Sequence, residues 1–131
     1  WYWFDDSGVM VTGLKQIGSR YYFFDEAGAM QTGWLNLNGA WHYANASGGF
    51  ETGWLSLGDA WYWFNDAAEM AIGWRTIGGS KYYFENSGAM ATGWKWINGS
   101  CYYFDGSGVM QSSKWIDGDY VDAEGKWVRG A

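Results

Sequence analysis

The chain has 131 residues, of which 22% are aromatic and 21 are glycine, and it contains no proline. Its 14 acidic residues outnumber the 8 basic ones, and the net charge of −6 disfavours a nucleic-acid partner because phosphate binding needs clustered Lys and Arg. No apolar run approaches the roughly 20 residues of a membrane-spanning helix, and the single cysteine, Cys101, excludes an intrachain disulfide.

A repeat of 20 residues runs through the sequence and governs its organisation. About six units follow one another without slippage. We call the residues that occupy the same position of successive repeats a phase. Large apolar residues recur in a phenylalanine phase (Phe4, Phe24, Phe64, Phe84 and Phe104) and in a methionine phase (Met10, Met30, Phe50, Met70, Met90 and Met110). Glycine followed by tryptophan recurs as Gly33-Trp34, Gly53-Trp54, Gly73-Trp74 and Gly93-Trp94. Stacked units require large apolar residues, so we predict that the phenylalanine phase serves packing alone.

Each unit carries one hairpin signal, in chain order Gly18-Ser19, Asn38-Gly39, Gly58-Asp59, Gly78-Gly79 and Asn98-Gly99. The flanking residues are rich in aromatic and β-branched types, which is typical of strands. We therefore predict strands over residues 34–37 and 40–44, repeated every 20 residues, with a link over 45–53. The turn sets the register, so Leu37 is expected to pair with Ala40 and Trp34 with Tyr43.

The predicted fold is all-β, a solenoid of stacked two-stranded β-hairpins that forms one repeat domain over residues 1–131. Each hairpin is apolar on both faces, and neighbouring copies at fixed spacing can cover both. The last unit, residues 112–131, is atypical because Ser113 and Lys114 replace Gly-Trp, and we expect it to cap the solenoid around an Asp117-Gly118 turn. Since residue 1 stands inside a repeat, the chain is expected to be the C-terminal fragment of a larger protein.

No constellation of residues indicates catalysis. Acidic residues recur in the connecting loops as Asp5, Asp6, Asp25, Glu26 and Asp105. An active site is normally built once, so we predict that this recurring set belongs to solvated loops. His42 replaces a tyrosine and has no His or Cys companion that would complete a metal site. The sequence therefore predicts no enzyme, no metal and no cofactor.

The repeat resembles the choline-binding repeats of Gram-positive surface proteins. The residues that carry this resemblance are Thr32-Gly33-Trp34, Asn38-Gly39, Trp41, Gly48, Thr52-Gly53-Trp54, Trp61-Tyr62-Trp63-Phe64 and Lys81-Tyr82-Tyr83-Phe84. Related repeats in streptococcal glucosyltransferases and clostridial toxins bind carbohydrate. The resemblance implies a left-handed superhelix of hairpins, and attachment of a larger secreted protein to the surface of a Gram-positive cell, with a phage of such a cell as another source.

The resemblance also implies ligand sites between successive hairpins, with two tryptophans from one hairpin, a tyrosine from the next and often a methionine. Carried over residue by residue, it gives a first site of Trp34, Trp41, Tyr62 and Met70. It gives a second site of Trp54, Trp61, Tyr82 and Met90.

The later units depart from this pattern. Trp94 has Cys101 at the partner position, but Trp96 stands opposite Cys101 in the predicted ladder and could restore the wall. Tyr120 would close this third site. Trp74 has Lys81 at the partner position, where a cation competes with a cationic ligand, so we expect that site to be lost or altered.

Choline is the favoured ligand because aromatic faces recognise a quaternary ammonium, at about 0.5–2 kcal/mol per cation–π contact. The sequence thus predicts a non-catalytic cell-wall-binding module that recognises choline on phosphocholine-decorated teichoic or lipoteichoic acid at the cell surface. One alternative is a module that binds glucan or host glycan, since aromatic platforms also stack on sugar rings. A second alternative is a structural stalk or adhesin with vestigial sites.

Overall fold

The structure, a computed structural model, describes residue 4 and residues 7–130; Asp5 and Asp6 of the predicted acidic set lie outside this range. Within it the regular structure consists of strands alone, which confirms the all-β prediction. The strands are β1 (Gly13–Ile17), β2 (Arg20–Phe24), β3 (Gly33–Leu37), β4 (Ala40–Ala44), β5 (Gly53–Leu57), β6 (Ala60–Phe64), β7 (Gly73–Ile77), β8 (Ser80–Phe84), β9 (Gly93–Ile97), β10 (Ser100–Phe104), β11 (Lys114–Ile116), β12 (Asp119–Val121) and β13 (Trp127–Val128).

The first ten strands form two-stranded sheets, each joining an odd-numbered strand to the strand that follows it. The predicted register is confirmed in the β3–β4 hairpin, where Trp34 pairs with Tyr43 and Leu37 with Ala40. Asn38 and Gly39 both have positive φ, 55° and 86°, as a type I′ turn requires. This turn type matches the right-handed twist of the strands, so two residues suffice to close the hairpin.

The chain divides into two compact units. The first comprises Trp1–Ser56 and Trp63–Met70, and the second comprises Leu57–Tyr62 and Ala71–Ala131. In the first, Ala44, Phe50 and Ala68 form a buried cluster covered by aromatic and leucine side chains of β2 and β3. In the second, Ala91, Ile97 and Phe104 form the corresponding cluster. The single domain over 1–131 stays a prediction.

Backbone hydrogen bonds join successive hairpins inside each unit. In the first unit, the Phe50 N–H donates to the Tyr21 carbonyl at 2.9 Å and the Met70 N–H donates to the Trp41 carbonyl at 2.8 Å. In the second unit, the Met110 N–H donates to the Lys81 carbonyl at 2.9 Å. The residue in the methionine phase therefore fastens its own loop to the second strand of the preceding hairpin, which is the stacking contact that a hairpin solenoid requires.

Methionine side chains of this phase pack against glycines of the next loop. A Cβ atom added to a glycine would overlap the facing methionine in the pairs Gly28 with Met10, Gly48 with Met30, Gly108 with Met90 and Gly125 with Met110. These glycines also have left-handed backbones with φ between 81° and 87°. Where Phe50 replaces methionine, the loop residue in the cluster is Ala68, with a φ of 64°. A methyl group is thus accommodated at this loop position when the methionine is absent.

Gly108→Ala is expected to lower the free energy of unfolding by about 2–3 kcal/mol, because the new Cβ overlaps Met90 and also strains a left-handed backbone. Gly99→Ala isolates the backbone strain, since Gly99 has a φ of 86° but open space around the added atom; we expect a loss of about 1 kcal/mol. Gly106→Ala meets neither obstacle and should change stability by less than about 0.5 kcal/mol. Urea unfolding followed by tryptophan fluorescence measures all three, and equal losses at Gly108 and Gly99 would contradict the proposed role of Met90.

Acidic and amide side chains hold the connecting loops together. One carboxylate oxygen of Asp25 accepts hydrogen bonds from the N–H groups of Ala27 and Ala29, both at 2.9 Å. Asp105 caps its own loop in the same way, accepting from Ser107 at 2.9 Å and Val109 at 3.0 Å. Because Asp25 and Asp105 bind their own backbone at the same position of the repeat, the recurrence of an acidic residue there has a structural cause beyond solvation of the loop.

The last unit forms the predicted short hairpin of β11 and β12 around Asp117 and Gly118, but it also contains a strand that was not predicted. This third strand, β13, pairs with β12 and places Trp127 opposite Val121. Earlier units make the equivalent pairing as a single bridge, for example between Phe104 and Met110. The extra strand therefore lengthens a contact that the other units already possess.

Candidate functional site

The Trp34 and Trp41 side chains stand next to each other, as the sequence predicted from the hairpin register. Their ring centroids lie 6.3 Å apart at an interplanar angle of 83°, and Tyr43 supports Trp34 at 5.2 Å. About 40% of the surface of each indole remains exposed, which leaves ring faces open to a ligand. The Met70 N–H bonds to the Trp41 carbonyl, which places that methionine beside the pair. Tyr62 belongs to the second unit, so its part in this site stays a prediction.

The second predicted site is divided between the units, and its members are described separately. In the second unit, the Met90 N–H donates to the Trp61 carbonyl at 2.8 Å, and the Tyr82 ring stacks on Phe84 with centroids 6.4 Å apart. Trp54 lies in the first unit. Its contribution to a common site with Trp61 and Tyr82 therefore stays a prediction.

The third predicted site is a pocket lined by three indoles, which we call the Trp127 pocket. Its lining residues are Trp94, Trp96, Cys101, Asp119 and Trp127, and its volume is about 280 Å³. Trp96 pairs with Cys101 across the ladder, as predicted. The Trp96 and Trp127 rings meet edge to face, with centroids 6.1 Å apart at 85°. This arrangement presents aromatic surface from both β9 and the C-terminal sheet to one volume.

The Trp127 pocket also holds one carboxylate and one thiol. The Trp127 Nε1–H donates to Oδ1 of Asp119 at 3.3 Å, which orients the indole and keeps the carboxylate at the pocket. Cys101 is a free, buried cysteine, and burial raises the pKa of its thiol, so this side chain is neutral near pH 7. Asp119 is the one charged residue of the lining, and its charge favours a cation. The Arg129 guanidinium lies 5.2 Å from the centroid of the Trp127 ring, so one aromatic face at this pocket already has a cation against it.

The sequence predicts Tyr120 as the closing wall of this third site, whereas Trp127 is the residue that lines the pocket. The Tyr120 ring lies against Trp115, with centroids 5.1 Å apart, while Trp127 lines the pocket. The available signal was the spacing of Trp127 from Gly125, which matches the spacing of Met110 from Gly108. That position of the repeat supplies the methionines of the predicted ligand sites, so a tryptophan there could have been recognised as a wall.

A different pocket surrounds Trp74, where the sequence predicted a lost or altered site. This Trp74 pocket has a volume of about 320 Å³ and is lined by Trp74, Arg75, Thr76, Lys81, Tyr102, Met110, Glu124 and Lys126. The Trp74 and Tyr102 rings meet edge to face at 4.9 Å and 74°. The lining therefore retains one tryptophan, one tyrosine and one methionine, and the other residues are three cations, one carboxylate and one threonine.

No group of three or more metal-ligating side chains occurs in the part of the chain that the structure describes. His42 is buried against Phe50, with ring centroids 5.0 Å apart, and its Nδ1 has no hydrogen-bond partner. The same described range contains no helix long and apolar enough to cross a membrane.

Comparison with known families gives matches over most of the chain. The sequence model of the choline-binding repeat matches residues 11–50 and 71–115. A second model, that of a cell wall binding repeat, matches residues 1–10 and 52–67. Among curated proteins none is significantly similar in this comparison.

Solved structures with the same fold come from Streptococcus pneumoniae and from an endolysin. Choline binding protein F of S. pneumoniae, solved in the presence of a peptidoglycan analogue, is 37% identical over 98% of this chain and 44% of its own length, with a TM-score of 0.95. CbpJ of S. pneumoniae TIGR4 is also 37% identical, over 98% of this chain and 45% of its own, with a TM-score of 0.94. The modular Cpl-1 endolysin, complexed with a peptidoglycan analogue, is 27% identical over 91% of this chain and 37% of its own, with a TM-score of 0.64. The chain thus spans less than half the length of these relatives.

Proposed function

Since the chain belongs to the choline-binding repeat family, we propose that it is a non-catalytic module that binds choline on phosphocholine-bearing teichoic or lipoteichoic acid. The observation that carries this proposal is the Trp127 pocket, in which three indoles and the Asp119 carboxylate surround one volume. A quaternary ammonium has no N–H to donate, so it is recognised by aromatic faces and by negative charge, and its methyl groups gain from apolar contact.

The expected affinity of one such pocket is modest. Each cation–π contact with an indole contributes about 0.5–2 kcal/mol, and a total of about 4 kcal/mol corresponds to a dissociation constant on the order of millimolar. Such a value is useful only on a polymer that presents many copies of the ligand to several pockets. The chain offers several tryptophans at repeated positions, which suits a polymer decorated with choline.

A choline titration followed by intrinsic tryptophan fluorescence tests the proposal. Saturation is expected at millimolar choline, and no response up to tens of millimolar would overturn the proposal. Trp96→Ala should abolish the part of the signal that comes from the Trp127 pocket. Trp115→Ala is the matched control, since Trp115 is similarly exposed (56% against 59%) but does not line that pocket, and it should leave the choline response unchanged.

A glucan oligosaccharide serves as the second ligand in the same titration. One aromatic wall with polar edges suits a sugar ring, whereas the Trp127 pocket offers three aromatic walls. A response to glucan without a response to choline would assign the module to the carbohydrate-binding branch. A response to neither ligand would favour a structural role for the repeats.

Placement at the cell surface follows from the proposed ligand. A polymer of the Gram-positive envelope is outside the membrane, so the protein that contains this module acts there, whether it comes from the cell or from its phage. The module would then anchor whatever activity the rest of that protein carries.

A further inference from the structure

The Trp74 pocket has the backbone of a choline-type site but different chemistry. At the equivalent positions two repeats earlier in the chain, Trp34 is followed by Leu35 and Asn36, and Trp41 completes the aromatic pair. In the Trp74 pocket the corresponding three positions are Arg75, Thr76 and Lys81. The backbone hydrogen bond of the methionine is the same at both places. The Met110 N–H donates to the Lys81 carbonyl, as the Met70 N–H donates to the Trp41 carbonyl.

Separate elements position the three cations of the pocket. The Arg75 Nη1 donates to the Trp74 carbonyl at 2.8 Å, which holds the guanidinium against its own strand, β7. Lys81 lies on β8, directly opposite Thr76 in the ladder. Lys126 comes from the C-terminal loop, where a bridge to Tyr102 fixes its backbone. The positive charges therefore come from three separate elements that line one pocket.

The charge of the lining is opposite to that of the whole chain. Arg75, Lys81 and Lys126 face one carboxylate, Glu124, whereas the chain has a net charge of −6. None of these four side chains takes part in an ion pair within the described residues. A quaternary ammonium would meet net repulsion here, while an anion would meet charges that are not already neutralised.

We propose that the Trp74 pocket binds a phosphate ester. Lysine and arginine bind phosphate through charge-assisted hydrogen bonds, and a tetrahedral phosphate can accept from donors on several sides at once. A planar carboxylate is matched by a single guanidinium, so cations on three elements favour the tetrahedral group. The Thr76 hydroxyl adds a neutral donor, and the Trp74 and Tyr102 faces can pack against the carbon atoms that the phosphate esterifies.

Two sources carry this chemistry. One is the phosphodiester backbone of a teichoic or lipoteichoic acid, and that choice rests on the proposed function. The other is a phosphomonoester, whether a small molecule or the end of a polymer. On a polymer that bears both groups, the Trp127 pocket would bind choline and the Trp74 pocket would bind backbone phosphate. The module would then bind the intact polymer more tightly than it binds free choline.

NMR of the tryptophan indole N–H groups tests the proposal on the full chain, with the Trp74 signal assigned from Trp74→Phe. Inorganic phosphate, glycerol phosphate (a monoester) and glycerophosphoglycerol (a diester without choline) are the probes. We expect a saturable shift of the Trp74 signal with at least one of the two esters, and about tenfold weaker binding in Lys81→Met because one charge-assisted hydrogen bond is lost. Diester binding alone would identify the polymer backbone as the source, and monoester binding alone would identify a terminal or free phosphate.

Lys15→Met is the matched control, since Lys15 is exposed, stands in the same repeat phase as Arg75 and lies outside the pocket. It should leave the phosphate titration unchanged. The proposal is overturned if sodium chloride at equal ionic strength reproduces the Trp74 shift, if Lys81→Met binds as the parent does, or if choline saturates the Trp74 signal and the esters do not.

A choline titration in the same NMR experiment distinguishes failure of the phosphate site from failure of the proposed function. Choline should shift the Trp96 indole signal equally in the parent and in Lys81→Met. If choline shifts no indole while a phosphate ester still saturates the Trp74 signal, the proposed function fails and the phosphate site stands. If choline binds at Trp96 and no ester shifts Trp74, the phosphate site fails alone.

Discussion

Phe104→Ala is expected to lower the free energy of unfolding by about 3–5 kcal/mol, the typical cost of removing a fully buried phenylalanine side chain. Phe104 is 0% exposed and lies in the buried cluster of the second unit with Ala91 and Ile97. Its ring also packs against Trp74, with centroids 5.8 Å apart. The substitution therefore leaves a cavity at the point where several aromatic residues meet, and chemical denaturation followed by circular dichroism measures the loss.

Phe4→Ala is the control for this prediction. Phe4 has the same residue type and the same repeat phase, but it is 57% exposed, so its removal should cost less than about 1 kcal/mol. Comparable losses for the two variants would mean that the phenylalanine phase contributes through local strand preference and that burial is irrelevant to its effect.

A triple variant, Trp41→Ala with Trp61→Ala and Trp96→Ala, is expected to reduce retention on a choline-coated surface by about 100-fold or more. Each indole belongs to a different candidate site. Linked weak sites gain from effective concentration, so the loss of all three removes this multivalent gain as well as the individual contacts. The three indoles are 40%, 46% and 59% exposed, so their truncation is expected to spare most of the packing. Surface plasmon resonance on immobilised choline measures the retention.

The single variants provide the comparison for the triple one. Each should weaken retention much less than the triple variant does, and Trp115→Ala should have no effect because Trp115 packs on Tyr120 away from the Trp127 pocket. If Trp96→Ala alone matches the triple variant, only the Trp127 pocket binds choline. Circular dichroism of every variant checks that the hairpins remain folded.

The hairpins could be predicted from sequence because their determinants are local. The Asn38-Gly39 turn and the pairing of Trp34 with Tyr43 lie within a few residues of each other, and the turn alone fixes the register. The contact of Met90 with Gly108 could not be predicted in the same way. Both residues stand in recognisable phases, but their contact depends on how one loop packs against the next.

The third site illustrates the same limit at the end of the repeats. The register correctly placed Trp96 opposite Cys101, because that pairing is part of one hairpin. The choice between Tyr120 and Trp127 as the closing wall depended on the path of the chain after β12. In the last repeat a shortened hairpin is followed by an added strand, which changes the path of the chain. The 20-residue spacing of the regular repeats does not predict this path.

The presence of one residue, Lys81, predicts that the choline site at Trp74 is lost or altered. The structure confirms that this lysine lies beside Trp74, since both residues line the same pocket. The contribution of Lys126 and Glu124 was not predictable, because both come from the C-terminal loop, which is joined to β10 by the bridge between Tyr102 and Lys126. A change that looked like the loss of one ligand site is therefore also the gain of a charged pocket.

The backbone bonds from Met70 to Trp41 and from Met110 to Lys81 bear on how such a protein can evolve. They use only main-chain atoms and reach back less than two repeats, so they form equally well whether the residue that accepts them is tryptophan or lysine. Duplication of a unit can therefore supply a copy whose ligand residues mutate freely while its attachment to its neighbours persists. A row of units built in this way can accumulate several specificities in a single chain without passing through an unfolded intermediate sequence.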